Sequence, residues 1–307
     1  TGAYVGGVVG YNAIELSIED CHNSGNISYN ISGKTKNEGV AGVLMYSTAK
    51  VSMKGCSNSG NISYNAPVTT NTCVGGISGI FGGKDHSIEN CENIGRISVR
   101  ADENSTAGSL CTLSGIISCL SNAPISGCKN NNCLLEAGAD DAAKAPLFVV
   151  GGISGGSYYA HGAITDCSVS KTTIAVNINT KEAYIGGICG ILSHSDISNC
   201  SFDGSIVASG SANVAGGIAG AGLAAGTNWK EMQAITGGNG LVSKANITTN
   251  DSPLDKVGTV VGFCNSATVA TLGATEPVVA SEATINGAAG PVIGSASTGG
   301  LTINVAQ

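Results

Sequence analysis

The sequence predicts an all-β protein, a right-handed parallel β-helix (β-solenoid) of about eight to nine coils, each of ~35 residues with three short strands. Three observations predict it: a repeat of fixed length, strand-like alternation with no helix between the strands, and a composition rich in glycine and poor in charge. Glycine numbers 46 of 307 residues, charged residues are 11% and aromatics 4%. Glycine weakens helices, and the charged residues that coat them are scarce, so a helical fold is excluded.

The repeat length comes first. Val5-Gly6-Gly7-Val8-Val9-Gly10 is followed by Asp20-Cys21-His22-Asn23-Ser24-Gly25-Asn26-Ile27. Val74-Gly75-Gly76-Ile77-Ser78-Gly79 is followed by Asn90-Cys91-Glu92-Asn93-Ile94-Gly95-Arg96-Ile97, and an intermediate copy centres on Cys56. Cys21 to Cys56 is 35 residues and Cys56 to Cys91 is 35 again; Cys128, Cys167 and Cys200 continue at 37, 39 and 33. Glycine-rich copies recur at 151–155, 186–190 and 216–220, and thin out at 257–262 and 290–294.

Alternation comes second. In the first unit it runs near Tyr4–Gly10, Ile14–Asp20 and Asn26–Ile31. Period two marks half-buried strands, and Gly, Asn and Ser clusters mark the turns between them. Parallel strands joined without helices, at a fixed repeat, imply a solenoid. Coils spaced ~4.8 Å apart make a rod roughly 40 Å long, and crossover chirality makes it right-handed.

That geometry assigns roles. The Ile or Val after each glycine pair, with Ile27, Ile62, Ile97 and Ile206, forms inward apolar ladders. Cys21, Cys56, Cys91, Cys128, Cys167 and Cys200 form another, of buried thiols with parallel Cβ vectors that oppose bridging. Asn23, Asn58, Asn93 and Asn130 form an amide ladder, and Gly25, Gly60, Gly95 and Gly204 fit turns of positive φ. Residues 134–147 read as a loop with one helical turn. The whole chain, 1–307, reads as one solenoid domain: regular repeats over 4–220, an irregular insertion at 221–241, and degenerate coils over 242–307. Thr1-Gly2-Ala3-Tyr4 already sits inside the repeat, so the chain reads as a fragment of a longer protein.

The glycine and cysteine segments together resemble the GLUG-motif repeats of bacterial surface and secreted proteins. Gly7-Val8-Val9-Gly10-Tyr11-Asn12 with Ser24-Gly25-Asn26-Ile27 carries the resemblance, as do Gly76-Ile77-Ser78-Gly79, Gly152-Ile153-Ser154-Gly155 and Gly187-Ile188-Cys189-Gly190. Met45, Ser118, Thr259 and Pro291 depart from the expected glycines. The resemblance implies an exported, adhesin-like repeat protein and transfers no catalytic residue.

The expected function is a non-catalytic structural or adhesive module on a bacterial cell surface. Its expected partner is a ligand on a host or neighbouring cell, a glycan among the candidates. A carbohydrate-binding or carbohydrate-cleaving β-helix is the alternative. A net charge of −7 leaves no footprint for nucleic acid, and no apolar run nears the ~18 residues of a membrane span. Gly-Gly-x-x-Gly is no nucleotide loop, because no helix follows it. No cofactor or metal is expected: there is no Cys-x-x-Cys, and His161 and His194 read as solvated turn residues. The acids Asp20, Glu89, Asp166 and Asp196 stand singly, and arginine occurs only at 96 and 100, so no lyase cluster is expected. Insertions vary more freely than ladders. The candidate ligand-binding residues are therefore Trp229, the only tryptophan, and the adjacent pair Tyr158 and Tyr159.

Overall fold

A computed structural model of the chain describes residues 3–32, 38–82, 85–119, 123–156, 162–178, 182–193, 195–210, 213–223, 235–250, 254–265, 270–297 and 301–307. It is a β-solenoid. Every strand pair named below is parallel, and neighbouring strands in each sheet come from successive coils. Among the described residues, sheet A has eight strands, from Tyr4–Gly6 to Val257–Gly258, and sheet B nine, from Val9–Asn12 to Ile293–Ser297. Sheet C has seven, from Leu16–Glu19 to Ile235–Gly237. Sheet D holds two ladders that begin at His22–Asn23 and Ile27–Asn30 and fuse in the long strands Ser168–Asn177 and Ser201–Ser209. Among the described residues no helix is long and apolar enough to cross a membrane.

The first of the three expected segments is two strands. It bends at the glycine pair and passes from sheet A to sheet B. A Cβ on Gly7 or Gly42 would overlap the carbonyl of the next coil's corner and stand 2.8 or 2.7 Å from Cγ of Asn23 or Asn58. The corner thus lies directly on the amide ladder across the interior, and only glycine leaves room.

Inside, the expected ladders stand in register. Ile27, Ile62, Ile97, Leu135, Ile174, Ile206, Ile247 and Ile285 pair rung on rung. Val43, Ile77, Ile116, Ile153, Ile188 and Ile218, each following a glycine corner, are fully buried. Each asparagine amide donates twice. Asn23, Asn58 and Asn93 give one N–H to Oδ1 of the next coil's asparagine at 2.7, 2.8 and 2.9 Å, and another to the glycine carbonyl two residues on. The ladder stops at Asn130, because Val169 occupies the next rung, and Asn130 Nδ2 is left without a partner.

The cysteines form the expected inward row, all as thiols. Cys56, Cys91, Cys128, Cys167 and Cys200 each donate to the carbonyl two residues before, at 3.1–3.5 Å. The adjoining Cys167 thiol, together with burial, holds Cys128 and Cys200 far above the ordinary thiol range. Burial alone pushes Cys264 up to about 11. Cys128, Cys200 and Cys264, enclosed and protonated, serve here as small apolar groups, whereas the hydrogen bond from the Cys128 thiol pulls Cys91 and Cys167 down. Replacing fully buried Cys91 by serine is expected to cost on the order of 1–3 kcal/mol by burying a stronger dipole, with alanine milder. Thermal melts of C91S and C91A check this; two harmless variants would contradict it.

Two expectations are corrected. Gly25, Gly60, Gly95 and Gly204 do not adopt positive φ. The left-handed residue is instead the one before each cysteine: Asp20, Gly55, Asn90, Gly127, Asp166 and Asn199, at φ 49–63°, with Gly240 before Leu241 continuing the row. These three residue types tolerate that region best. At Gly60 and Gly95 glycine is needed for another reason: a Cβ would strike the carbonyl of the glycine one coil below. The second correction concerns 134–147. Leu134–Ala139 is a regular strand of sheet D, and only Ala142–Lys144 forms a 3-10 turn, capped by the Asp141 side chain. Leu135 and Ala137 face inward on the isoleucine ladder's side, so alternation was present but was obscured by Gly138 and the two aspartates.

Candidate functional site

Sheet D puts alternate residues outside. Along Ile62–Ala66 and Ile97–Ala101 the apolar side chains are buried, while Ser63, Asn65, Ser98 and Arg100 face out. The next coil presents Glu136 and Gly138, with Asp140 just beyond the strand, and the one after presents Ala175 and Asn177. Together these residues line a groove of about 560 Å³.

Two ion pairs wall it. Arg96 Nη2 donates to Glu136 Oε2, and Arg100 Nε donates to Asp140 Oδ1. The chain's only two arginines therefore flank one strand, Arg96 just before it and Arg100 within it, and both acids lie on the next coil. Four residues of extended chain set the pairs about 13 Å apart. The floor is Ser98, between the two arginines, Gly138, between the two acids, and Ala175, which stands opposite Glu136 on the following coil. The arginine side chains are 55% and 70% exposed. Exposed ion pairs contribute only about 0–1 kcal/mol, so folding stability does not account for this arrangement.

The column containing Gly138 is informative. Rung by rung it reads Asn30, Asn65, Arg100, Gly138, Asn177, Ser209 and Asn250. Six of the seven carry polar side chains that fill their rung. A Cβ on Gly138 would meet only Asn177 O, at 3.5 Å, which is ordinary contact. Nothing in the local packing requires glycine, and its missing side chain deepens the groove.

A second surface lies at the first two coils. Tyr4 stacks on Tyr46 with ring centroids 4.7 Å apart, and Tyr11 tilts against Tyr46 at 5.6 Å. Tyr4 and Tyr46 pack against a small apolar cluster of Ala41, Met45 and Cys73, with Tyr11 outside it and exposed. Beneath, Tyr29 and Tyr64 stack inside the rod, and both hydroxyls donate to Glu38 Oε2 at 2.9 and 3.1 Å. Glu38 is 2% exposed, so this carboxylate is interior and apart from either surface.

Trp229, Tyr158 and Tyr159 lie outside the described residues, as do His161 and His194. Of the insertion predicted at 221–241, residues 224–234 lie outside the description, while Ala219–Leu223 and Ile235–Gly237 are strands of sheets B and C. Asp166 accepts from Asn199 Nδ2 at 3.0 Å, one turn residue bonding the next coil's. Sequence reasoning missed Glu136 and Asp140, which fell in the segment read as a loop. The available signal was spacing: arginines four apart, acids four apart, and 40 residues between the partners of each pair.

Residues 1–28 and 182–207 match the GLUG motif. The second match runs from its sheet A strand, Ala183–Gly186, into the sheet D strand Ser201–Ser209, so a motif covers most of one coil. No curated protein and no solved structure matches the chain.

Proposed function

We propose that this chain is a non-catalytic, extracellular repeat module of a bacterial cell-surface protein, a stiff column that adheres to a host or neighbouring cell through its outer face. One observation carries the reading. Inward positions are committed to stacking over coil after coil, whereas one outward patch departs from its columns and concentrates both arginines beside two acids. A repeat supplies the support, and an irregularity on it supplies the site.

The spacing of the acids supports a binding role over a hydrolytic one. Glu136 and Asp140 are four strand residues apart, about 13 Å, whereas hydrolytic carboxylate pairs stand about 5–9.5 Å apart. Each is also held by an arginine.

Beads coated with the protein are expected to be retained on mucin-coated or epithelial-cell surfaces. Antibody to the chain is expected to label unbroken cells of the organism that makes it. Incubation with a polysaccharide panel is expected to release no new sugar ends. Beads that wash off like albumin controls would overturn the adhesive role, and sugar ends released in proportion to protein would overturn the non-catalytic one.

A further inference from the structure

We propose that the sheet D groove binds a neutral saccharide, with one sugar ring seated over Gly138 between the two arginine–carboxylate pairs. This rests on the adhesive reading above and gives it a ligand class.

Charge points to a neutral ligand. Two guanidinium groups and two carboxylates sum to zero. An anionic ligand would have to displace Glu136 and Asp140 from the arginines, and a cationic one would have to displace the arginines. A ligand of hydroxyl groups needs neither. Each guanidinium has five N–H donors and each carboxylate about four acceptor positions. The pairing uses Nη2 of Arg96 and Nε of Arg100 and one oxygen of each acid, and occupies none of their other donor and acceptor positions. A sugar hydroxyl both donates and accepts, so it can bridge the two members of a pair. The ion pair also pre-orients both partners before the ligand arrives, which lowers the ordering cost of binding.

Shape points to a ring. About 13 Å separates the pairs along the strand, and the floor there carries only the hydroxymethyl of Ser98 and the hydrogen of Gly138, with the methyl of Ala175 beside Glu136. A volume of about 560 Å³ is within the range of small-ligand sites. Gly138 is the decisive residue. A glycine inside a strand weakens it, and this one, which packing does not demand, leaves the backbone open to close approach by a ligand. Asn65 one coil before Arg100, and Asn177 one coil after Gly138, extend the polar partners along the rod for further sugar units.

The test restores the column's ordinary residue. Wild type, Gly138→Asn, Arg100→Gln and Asp140→Asn are titrated by calorimetry with neutral tetrasaccharides (cello-, malto- and mannotetraose) and with hyaluronan and heparan sulfate tetrasaccharides. The expected result is binding of a neutral chain, weakened at least tenfold by Gly138→Asn with no loss of melting temperature, and weakened also by the two other variants. Binding of acidic chains alone, binding of no neutral chain, or a Gly138→Asn affinity within twofold of wild type overturns the proposal. Beads bearing Gly138→Asn separate the two levels. If they adhere like wild type, the site is wrong and the adhesive reading stands; if wild-type beads do not adhere, the adhesive reading itself fails.

Discussion

Gly76→Val is expected to abolish folding. A Cβ at Gly76 would overlap the carbonyl oxygen of Gly115 and stand 2.7 Å from both Cγ and Oδ1 of Asn93. Neither neighbour can retreat. The carbonyl belongs to the next coil's corner, and the amide is hydrogen-bonded to Asn58 and Asn130. Overlap with fixed backbone is among the mechanisms that exceed about 4–5 kcal/mol, a large share of the stability of an ordinary domain. Gly25→Ala is the matching control. Its added methyl would meet only Asn23 Oδ1, at 3.6 Å, and should change stability by less than about 1 kcal/mol. Soluble yield and the circular dichroism melt decide the matter. A Gly76→Val protein that melts within a few degrees of wild type would refute the corner-on-ladder packing.

The amide ladder should be asymmetric in its response to mutation. Asn93→Val removes the acceptor of Asn58 Nδ2 and the donor to Asn130 Oδ1, both fully buried. Asn130 would then have neither side-chain atom paired, since its Nδ2 already lacks a partner. The donor to the Gly95 carbonyl goes as well, and one orphaned buried acceptor with three lost hydrogen bonds costs at least about 3 kcal/mol. Asn130→Val, at the ladder's end, places valine beneath the existing Val169 and eliminates the unpaired Nδ2. Asn93 keeps the Gly95 carbonyl as acceptor, so the change should cost less than about 1 kcal/mol. Urea melts of the two variants, compared at equal slope, test the order. Equal losses would mean that the ladder is not cooperative in the direction described.

The repeat length and the identity of inward residues were legible in the sequence because stacking forces the same chemistry onto the same rung. Cys21, Asn23 and Ile27 announce their ladders by recurring. Backbone conformation was less legible. Gly25 was read as a positive-φ turn when its column is glycine for close approach, and the left-handed residue before each cysteine hid behind three identities, Asp, Gly and Asn. That variation has a physical pattern. At Asp20 over Gly55, at Asn90 over Gly127 and at Asn199 over Gly240, a side-chain oxygen occupies the space that a Cβ in the next coil would need, whereas Asp166 and Asn199 stand in successive coils and bond each other instead. The groove was legible only in part. Both arginines were noted, but register sets Ser98 opposite Glu136 and Arg100 opposite Gly138, so each arginine reaches its acid diagonally, two residues along the next coil, and no periodicity rule links residues 40 apart that occur once.

The hydrogen bonds between coils run along the length of the rod, so tension on the rod's ends pulls against them directly. An end coil is bonded on one face only and yields first, while those behind it remain bonded on both. Each coil that peels away advances the rod by only ~4.8 Å when folded, yet its ~35 residues extend to roughly 115–125 Å when drawn out. A column of this kind behaves under load as a stepwise extensible tether. It stays short and stiff until the terminal rung gives, then lengthens about 25-fold per coil released, dissipating force before the remaining coils are strained.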